Sequence, residues 1–445
     1  MSFTLFAALP LLAQDAASRE ELEAKLRDLE ARLERIEAAK AAPSDEIAEL
    51  RRQIDILTRE IERLKVVREA PEVGETGTYG LGAAASKVYR TDHGVSIGGY
   101  GEMVYENFDA SFDSGLPSGS TDQLDFLRAI LYAGYKFNDR VIFNSEIEFE
   151  HATSGGGIGE VSVEFAYLDF LLRPELNARA GLLLVPMGLI NELHEPTAFL
   201  GANRPEVESV IIPSTWRENG AGVFGETGSV SYRAYVMTGM DASDFSASGI
   251  RSGRQKGGKA KAEDFAVVGR VDWRPVPGTM IGGSIWTGDS AHNLTTPAGE
   301  DIDANLTLGE LHADVNVRGW SLRALWASGE IGDVAELNLA NGLTGSKSVG
   351  EEFGGWYGEI GYDLGAVLPL GDDALIPFAR YEEYNTQESV PAGFALDPSK
   401  DASVATVGFS WKPIPQAVIK VDYQDYDNAA DRGVDQFNIA LGYIF

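Results

Sequence analysis

The last nine residues of the chain, Phe437 to Phe445, alternate between apolar side chains and others at every second position. The apolar positions share one face of an extended strand, because successive side chains in a strand point to opposite sides; they are Phe437, Ile439, Leu441, Tyr443 and Phe445. A final strand with one wholly apolar and aromatic face is typical of transmembrane β-barrels, in which that face contacts lipid. This ending predicts a closed barrel.

Composition agrees with a barrel and excludes a helical membrane protein. The 445 residues include no stretch of the roughly 18 apolar residues that a membrane-spanning helix needs. A chain that crosses a bilayer without such helices must close its sheet, because only then is every backbone group paired. Gly is abundant at 50 residues, and 10% of the chain is aromatic, as barrel walls and interfacial girdles require.

Several functional classes are disfavoured by the sequence. The net charge of -31 excludes a nucleic-acid partner, because phosphates attract basic surfaces. The five histidines show no metal-ligand spacing, no Gly-x-Ser-x-Gly motif occurs, and Gly98–Gly101 lies in a predicted strand rather than before a helix. We therefore predict no enzymatic activity, no cofactor and no metal site. The absence of cysteine favours, weakly, an oxidising compartment.

The chain divides into four predicted parts. Residues 1–17 contain an apolar run, Phe3 to Ala13, of the length found in signal peptides, although no Lys or Arg precedes it. A buried apolar N-terminus is the alternative. Residues 18–70 are predicted to form a periplasmic coiled coil, residues 71–91 a linker rich in Gly, Ala and Thr, and residues 92–445 an outer-membrane β-barrel.

The coiled coil is predicted from apolar residues that recur at alternating spacings of four and three, beginning at Leu22, Leu26 and Leu29. Pro43 interrupts the helix, so we expect two helical pieces. Ile and Leu alternate along the seam of the second piece, which favours a parallel dimer. A solvated amphipathic helix pair is the alternative.

From Asp92 onward, alternating segments predict sixteen strands. Their predicted spans are 93–108, 121–137, 140–153, 158–172, 176–186, 217–227, 229–240, 262–274, 278–289, 303–318, 320–332, 352–366, 373–388, 402–412, 416–427 and 434–445. Short gaps alternate with long ones, as in barrels with tight periplasmic turns and long outer loops. In Arg140–Thr153, Glu146, Glu148 and Glu150 share one face, which we expect to line a polar lumen.

Two further motifs accompany the ending: Gly181-Leu-Leu-Leu-Val-Pro-Met-Gly188 and Ile376-Pro-Phe-Ala-Arg-Tyr381. With them the chain resembles the trimeric sixteen-stranded outer-membrane porins that carry an N-terminal coiled coil, namely the phosphate-selective porin O/P family and the DcaP-like porins. The resemblance implies a homotrimer in outer-membrane lipid. It also implies that the barrel assembly machinery recognises the final strand. The implied trimer differs from the dimer that the seam favours.

The longest outer gap, residues 187–216, follows the fifth strand and is the third long loop, which in such porins narrows the channel. Its charged residues, with the two that follow it, are Glu192, His194, Glu195, Arg204, Glu206, Glu208, Arg217 and Glu218. Wall arginines expected to face it are Arg128, Arg179, Arg233, Arg270, Arg323 and Arg380. An acidic loop opposite a basic wall would create a transverse field that filters solutes by charge. The alternative is that the arginines pair with carboxylates of the wall.

These features predict passive diffusion of small hydrophilic solutes, anionic solutes among them, through the barrel. A different class of function is a structural anchor, in which the coiled coil tethers the membrane to the cell wall. The lumen distinguishes the two functions, because a filled lumen favours the anchor and an open one favours the channel.

Overall fold

The computed structural model describes residues 77–153, 159–371 and 373–445, together with helical residues 25, 27, 28, 31, 51–54 and 56. The chain divides into two compact units, Met1–Pro71 and Glu72–Phe445. The predicted signal peptide lies outside the described residues, and so does the predicted coiled coil apart from those helical positions. None of the described helices is both long and apolar enough to cross a bilayer.

The second unit contains sixteen β-strands. They are β1 Gly94–Phe108, β2 Gln123–Asn138, β3 Val141–Glu150, β4 Val161–Arg173, β5 Leu176–Leu184, β6 Arg217–Thr227, β7 Val230–Thr238, β8 Phe265–Trp273, β9 Thr279–Gly288, β10 Leu306–Val317, β11 Trp320–Ile331, β12 Glu352–Tyr362, β13 Ala374–Ser389, β14 Asp401–Ile414, β15 Ala417–Asn428 and β16 Gln436–Ile444. Two short α-helices accompany them, α1 at Lys87–Arg90 and α2 at Val334–Ala340.

Each strand pairs antiparallel with its neighbours in sequence, and β1 pairs with β16 to close the barrel. Tyr100 lies opposite Ile444 at this seam. Gly99 and Phe445 extend the pairing through reciprocal backbone hydrogen bonds of 3.0 and 2.9 Å. The predicted closed barrel of sixteen strands is confirmed, and every predicted strand end lies within four residues of the observed one.

Loop lengths differ between the two ends of the barrel. At one end, tight turns join strands, as at β2–β3, β4–β5 and β10–β11. At the other end, long loops join β1 to β2, β5 to β6 and β7 to β8. We refer to these as the short-turn end and the long-loop end.

The wall has an apolar outer face and a polar inner face. In β8 the side chains of Phe265, Val267 and Trp273 are about half exposed, whereas Arg270 and Asp272 are buried inside the barrel. A soluble barrel shows the opposite arrangement, since it buries apolar side chains. The lumen of this barrel is therefore lined by charge, and its outside suits lipid.

Candidate functional site

Residues 185–216, between β5 and β6, fold into the barrel. We call this segment loop 3, because it is the third long loop along the chain. Its apolar side chains are completely or almost completely buried: Val185, Met187, Leu189, Ile190, Val207, Ile211, Ile212 and Trp216. Asn191 closes the base of the loop by donating to the carbonyl oxygens of Val185 and Trp216 at 2.7 and 2.9 Å and accepting from the Trp216 N–H at 2.8 Å.

Gly188 and Glu208 fix the shape of loop 3 near its beginning. Gly188 has a φ of +71°, and a Cβ there would lie 2.4 Å from Glu208 Oε2. That oxygen accepts a 2.7 Å hydrogen bond from the Ile190 N–H, while Oε1 accepts one of 2.6 Å from the Tyr357 hydroxyl of β12. Arg270 of β8 donates to the Gly188 carbonyl. Glycine is needed here both for the left-handed backbone and for the close approach of the carboxylate.

The middle of loop 3 crosses the lumen and contacts the far wall, which we define as β13–β16 and β1. Lys412 Nζ donates to the Thr197 carbonyl at 2.8 Å, and Lys420 Nζ to the Gly201 carbonyl at 2.9 Å. Asp422 accepts from the Ala202 N–H at 2.5 Å. Sequence reasoning missed all three wall residues because their partners are more than 200 residues away in the chain.

All six wall arginines face the lumen, and each has a carboxylate partner in the wall. The pairs are Arg128–Glu102 at 3.3 Å, Arg179–Asp169 at 2.7 Å, Arg233–Asp272 at 3.1 Å, Arg270–Asp272 at 3.0 Å, Arg323–Asp314 at 3.3 Å and Arg380–Glu382 at 3.0 Å. Among the described residues, only Arg233 also pairs with a carboxylate of loop 3, Glu192, at 3.3 Å. The wall arginines therefore pair with carboxylates of the wall. This is the alternative to a transverse field between an acidic loop and a basic wall.

The remaining charged residues of loop 3 meet different partners. Glu195 Oε1 accepts from the backbone N–H groups of Ala84 and Ala85, both at 2.9 Å. At the end of the loop, Arg217 pairs with Glu164 of β4 at 3.1 Å. Glu218 accepts from the Thr238 hydroxyl at 3.2 Å and contacts the neighbouring β7–β8 loop through the Gln255 N–H at 2.9 Å. Loop 3 is thus bound to several sides of the barrel.

His194 of loop 3 lies against Glu146 of β3 and Glu164 of β4. Its Nε2 is 3.1 Å from Glu146 Oε1 and 3.3 Å from Glu164 Oε2, and all three side chains are buried. Burial by itself lowers the pKa of His194, but the two carboxylates more than offset this and raise the pKa to about 10. Sequence reasoning singled out His194 and Glu146 separately, and it missed Glu164.

The strand pairing explains why Glu164 was missed. Glu146 pairs with Phe165 and Ile147 pairs with Val163, so Glu164 is an extra residue in β4. Such a bulge breaks the alternation of faces. Glu164 and Phe165 are consecutive and both face the lumen, fully buried. Counted back from Phe165 and Tyr167, the period-two rule places Glu164 on the lipid side, whereas counted forward from exposed Val161 and Val163 it places Glu164 in the lumen.

Residues 77–91, predicted as part of a linker, lie inside the barrel near its short-turn end. We call them the lumen segment. Tyr89 of α1 donates a 2.7 Å hydrogen bond to Asp169 of β4, and its hydroxyl accepts from Arg179 of β5 at 3.1 Å. Ala85 accepts from Asn144 of β3 at 2.8 Å, which places the segment against the inner face of β3–β5. No signal in the composition distinguishes such a segment from a solvated linker.

Among the described residues, a cavity lies on each side of the point where loop 3 crosses the lumen. The long-loop cavity, of about 370 Å³, is lined by Glu106, Arg128, Asn203, Arg204 and Arg251 among others. The short-turn cavity, of about 440 Å³, is lined by residues that include Ser321, Arg323 and Lys412. Phe199 lines both cavities, so its side chain lies at the boundary between them.

The long-loop cavity carries arginines that have no carboxylate partner in the described part of the chain. Arg204 and Arg251 instead donate to the hydroxyl of Ser214 and to the carbonyl of Ser209, respectively. Burial and the proximity of Arg204 lower the pKa of Arg251 to about 10, and burial together with Arg251 lowers the pKa of nearby Arg254 to about 9. Glu102, Glu106 and Glu206 line the same cavity, so its charge is mixed, but these arginines form no direct ion pair with them. Clustered cations whose hydrogen bonds go to neutral groups suit a bound anion. No local pattern indicated that the β7–β8 loop would supply Arg251 and Arg254.

The final strand presents its apolar residues to the outside. Phe437, Ile439, Leu441, Tyr443 and Phe445 are each 38–48% exposed, while Ala440 and Ile444, between them, are buried. The alternation in the last nine residues therefore corresponds to the two faces of β16.

Comparisons with known proteins bear on the family and on the fold. No family model matches the chain. An uncharacterized protein of Aquifex aeolicus (strain VF5) is 37% identical over 378 residues, which cover 82% of this chain and 83% of that protein.

Among solved structures, the trimer form of OmpT, an outer membrane protein of Vibrio cholerae, has a TM-score of 0.50 at 11% identity and covers 80% of this chain and 100% of its own. Salmonella typhi OmpF in complex with daunomycin has the same TM-score and identity, with 80% and 98% covered. The outer membrane channel DcaP of Acinetobacter baumannii has a TM-score of 0.47 at 14% identity, covering 79% and 97%, which is too weak to assign the chain to the DcaP-like porins. The chain belongs to the same family as the Aquifex aeolicus protein, and its barrel has the fold seen in OmpT and OmpF.

Proposed function

We propose that this protein is an outer-membrane channel for small hydrophilic solutes, with loop 3 as its constriction. The observation that carries the proposal is the pair of cavities that both border Phe199, one toward each end of a charged lumen. The exposed apolar residues of the outer wall, including Trp273 and Trp320 at about half exposure, support a position in lipid.

We infer that anionic solutes are preferred. The wall arginines are neutralised by their own carboxylates, so they supply little net field. Arg204, Arg251 and Arg254 keep their charge without a carboxylate partner among the described residues, and the first two line the long-loop cavity. A solute with a carboxylate or phosphate group would find there the counter-charge that it needs on leaving water.

We propose an oligomeric state and an assembly route by analogy with the solved barrels of the same fold. The OmpT structure is described as a trimer form, which supports a homotrimer here, and β16 offers the apolar ending that barrel assembly machinery would recognise. A periplasmic coiled coil at residues 18–70 and a signal peptide at residues 1–17 complete the proposal. A link from that coiled coil to the cell wall belongs to the second candidate function.

That second candidate is a structural anchor with no transport, and the filling of the lumen favours it. Loop 3 reaches the far wall, and the lumen segment occupies the short-turn end near β3–β5. Under this hypothesis the cavities are closed pockets, whereas in a channel they are connected vestibules.

Thiol labelling during single-channel recording distinguishes the two functions. The chain has no cysteine, so Ser209→Cys reports on the long-loop cavity and Ser321→Cys on the short-turn cavity. A channel should conduct in a planar bilayer, and negatively charged 2-sulfonatoethyl methanethiosulfonate should reduce the current of either variant from either side. The unmodified chain is the control. A folded protein that stays silent, with each cysteine labelled only from its own side, would establish the anchor and exclude the channel.

A further inference from the structure

Three side chains from three different elements bring ligand atoms together where loop 3 meets the wall. His194 Nε2, a Glu146 oxygen and a Glu164 oxygen all lie within 4.8 Å of one another. Each of the three residues is at most 2% exposed. Imidazole nitrogen and carboxylate oxygen are common ligands of transition metals in proteins.

The orientation of the imidazole suits a metal ligand. His194 Nδ1 lies 2.8 Å from the Asn191 carbonyl oxygen, so the proton belongs on Nδ1 and is donated to that oxygen. Histidines that bind metals through Nε2 typically donate their other ring N–H in this way, which fixes the tautomer. Both carboxylates converge on the remaining nitrogen, Nε2. A single proton on that nitrogen can point well at only one of them.

Two buried oxygens in this cluster accept no well-aligned hydrogen bond in the described part of the chain, although one of them, on Glu164, lies 3.3 Å from His194 Nε2. They are Glu146 Oε2 and Glu164 Oε2. A buried carboxylate oxygen without a hydrogen bond destabilises the folded state, so native structures rarely contain one without a reason. A divalent cation between the three residues would neutralise both carboxylates and satisfy these oxygens.

His312 in the same lumen shows the contrasting arrangement. Its Nδ1 lies 2.8 Å from Glu310 Oε2, and its Nε2 lies 2.9 Å from Asp272 Oδ1. Each ring nitrogen therefore has a carboxylate of its own, and one protonated imidazole satisfies both. His312 needs no cation, and it provides a matched control.

The bulge in β4 supplies the third ligand. It allows the consecutive residues Glu164 and Phe165 both to face the lumen, so that Glu164 joins His194 and Glu146. Arg217 then holds the other oxygen of Glu164, Oε1, at 3.1 Å. Bulges recur next to functional sites because they redirect a side chain in this way.

We propose that His194, Glu146 and Glu164 form a binding site for a divalent transition metal ion such as Zn²⁺. Ligand atoms about 2.0–2.2 Å from a tetrahedral zinc are separated by roughly 3.3 Å, close to the distances of 3.1 and 3.3 Å from His194 Nε2 to the two carboxylates. The cation takes the place of the proton on Nε2. Bound there, it joins loop 3 to β3 and β4. This proposal departs from the sequence-based prediction of no metal site, which relied on local spacing. The three ligands lie 18 and 30 residues apart in the order Glu146, Glu164, His194 and show no local motif.

Isothermal titration calorimetry on the full-length, untagged, refolded protein tests the site. After treatment with a chelator, the protein is titrated with ZnCl₂ and, separately, with MgCl₂. We expect tight binding of one Zn²⁺ per chain, and affinity weaker by about tenfold or more for His194→Gln and Glu164→Gln. Mg²⁺ should bind much more weakly, because it prefers oxygen ligands. The matched variant His312→Gln should bind Zn²⁺ as the unmodified protein does.

Zinc-edge X-ray absorption on the unmodified protein gives an answer that does not depend on the folding of any variant. We expect one imidazole nitrogen with oxygen ligands in the first coordination sphere. The proposal fails if the unmodified protein binds no Zn²⁺, if His194→Gln binds it equally well, or if the spectrum shows two or more imidazoles. None of these measurements requires conduction, so the site can be accepted or rejected whether or not the channel function holds.

Discussion

The ammonium nitrogen of Lys420 in β15 lies 3.4 Å from the centroid of the Phe199 ring and also donates to the Gly201 carbonyl at 2.9 Å. One wall residue thus holds both a side chain and the backbone of loop 3 at the boundary between the two cavities. A desolvated cation–π contact contributes about 2 kcal/mol. Lys420 therefore helps to hold loop 3 against the far wall.

Replacing this contact should open the constriction. We expect Lys420→Met to raise single-channel conductance and to add current fluctuations, because Phe199 and Gly201 lose their common partner. Lys136→Met is the control, since Lys136 lies near the β2–β3 turn and pairs with Asp139. Equal conductance in the Lys420 variant and the unmodified protein would mean that loop 3 is held by its other contacts.

Gly188→Ala should destabilise the protein. The new Cβ would meet Glu208 Oε2, and the residue would have to keep a φ of +71°. Together these effects should lower the free energy of unfolding by about 1–3 kcal/mol, measured by urea titration in detergent or lipid. Gly269→Ala in β8 is the control, because a Cβ there meets nothing within 4 Å. A similar small effect of both substitutions would contradict the role assigned to Gly188.

Charge selectivity should depend on pH through Glu206. Burial and the neighbouring Glu382 raise the pKa of Glu206 to about 7, while Arg380 and Arg251 oppose the shift. As the pH falls from 8 to 6 the carboxylate becomes protonated, so the preference for anions should increase. Reversal potentials recorded in asymmetric KCl at each pH measure this preference for anions.

The Glu206→Gln variant should show the low-pH selectivity at both pH values. The raised pKa of Glu206 also determines how the stability of the protein changes with pH. Between pH 4.5 and 7 the folded chain keeps a proton that the unfolded chain releases, so this group makes the protein less stable as the pH rises. A pH dependence that persists unchanged in the variant would assign it to another group.

Arg251→Gln should reduce the preference for anions, because Arg251 lines the long-loop cavity without a carboxylate partner among the described residues. We expect the permeability ratio of chloride to potassium to fall by a factor of about two or more. Such a change corresponds to the roughly 0.2–1 kcal/mol that a partly exposed charge contributes when it interacts with an opposite charge. Arg140→Gln, in the exposed β2–β3 turn, should leave the ratio unchanged. The inference about anions would be wrong if both variants behaved alike.

The strands could be predicted from the sequence because each leaves a local signal. The last nine residues and the charged face of β3 repeat with period two, and the tight turns separate one strand from the next. The same reasoning placed Arg270 and Arg380 inside the lumen correctly. It works because a barrel wall has only two faces, and a residue lies on one or the other.

The interior of the lumen could not be predicted in this way. A bulge interrupts the alternation of β4 at Glu164 and Phe165, so the two halves of the strand give opposite predictions for Glu164. Lys420 meets Gly201 across 219 residues of sequence, and the match depends on how loop 3 folds rather than on local spacing. Arginines of the wall were expected to face an acidic loop, but carboxylates of their own or adjacent strands lie nearer and take most of the contacts.

Glu195 links two stretches of chain that enter the lumen separately. It belongs to loop 3, yet its Oε1 accepts hydrogen bonds from Ala84 and Ala85 of the lumen segment. If the lumen segment moved out of the barrel by the length of one residue, both hydrogen bonds would break and the buried Glu195 carboxylate would lose its donors. Either loop 3 would then rearrange, or the segment would return to its original position. The two positions are mechanically coupled. Tension on the polypeptide just ahead of β1 would be transmitted to loop 3, and a solute that displaces loop 3 would in turn pull on that polypeptide.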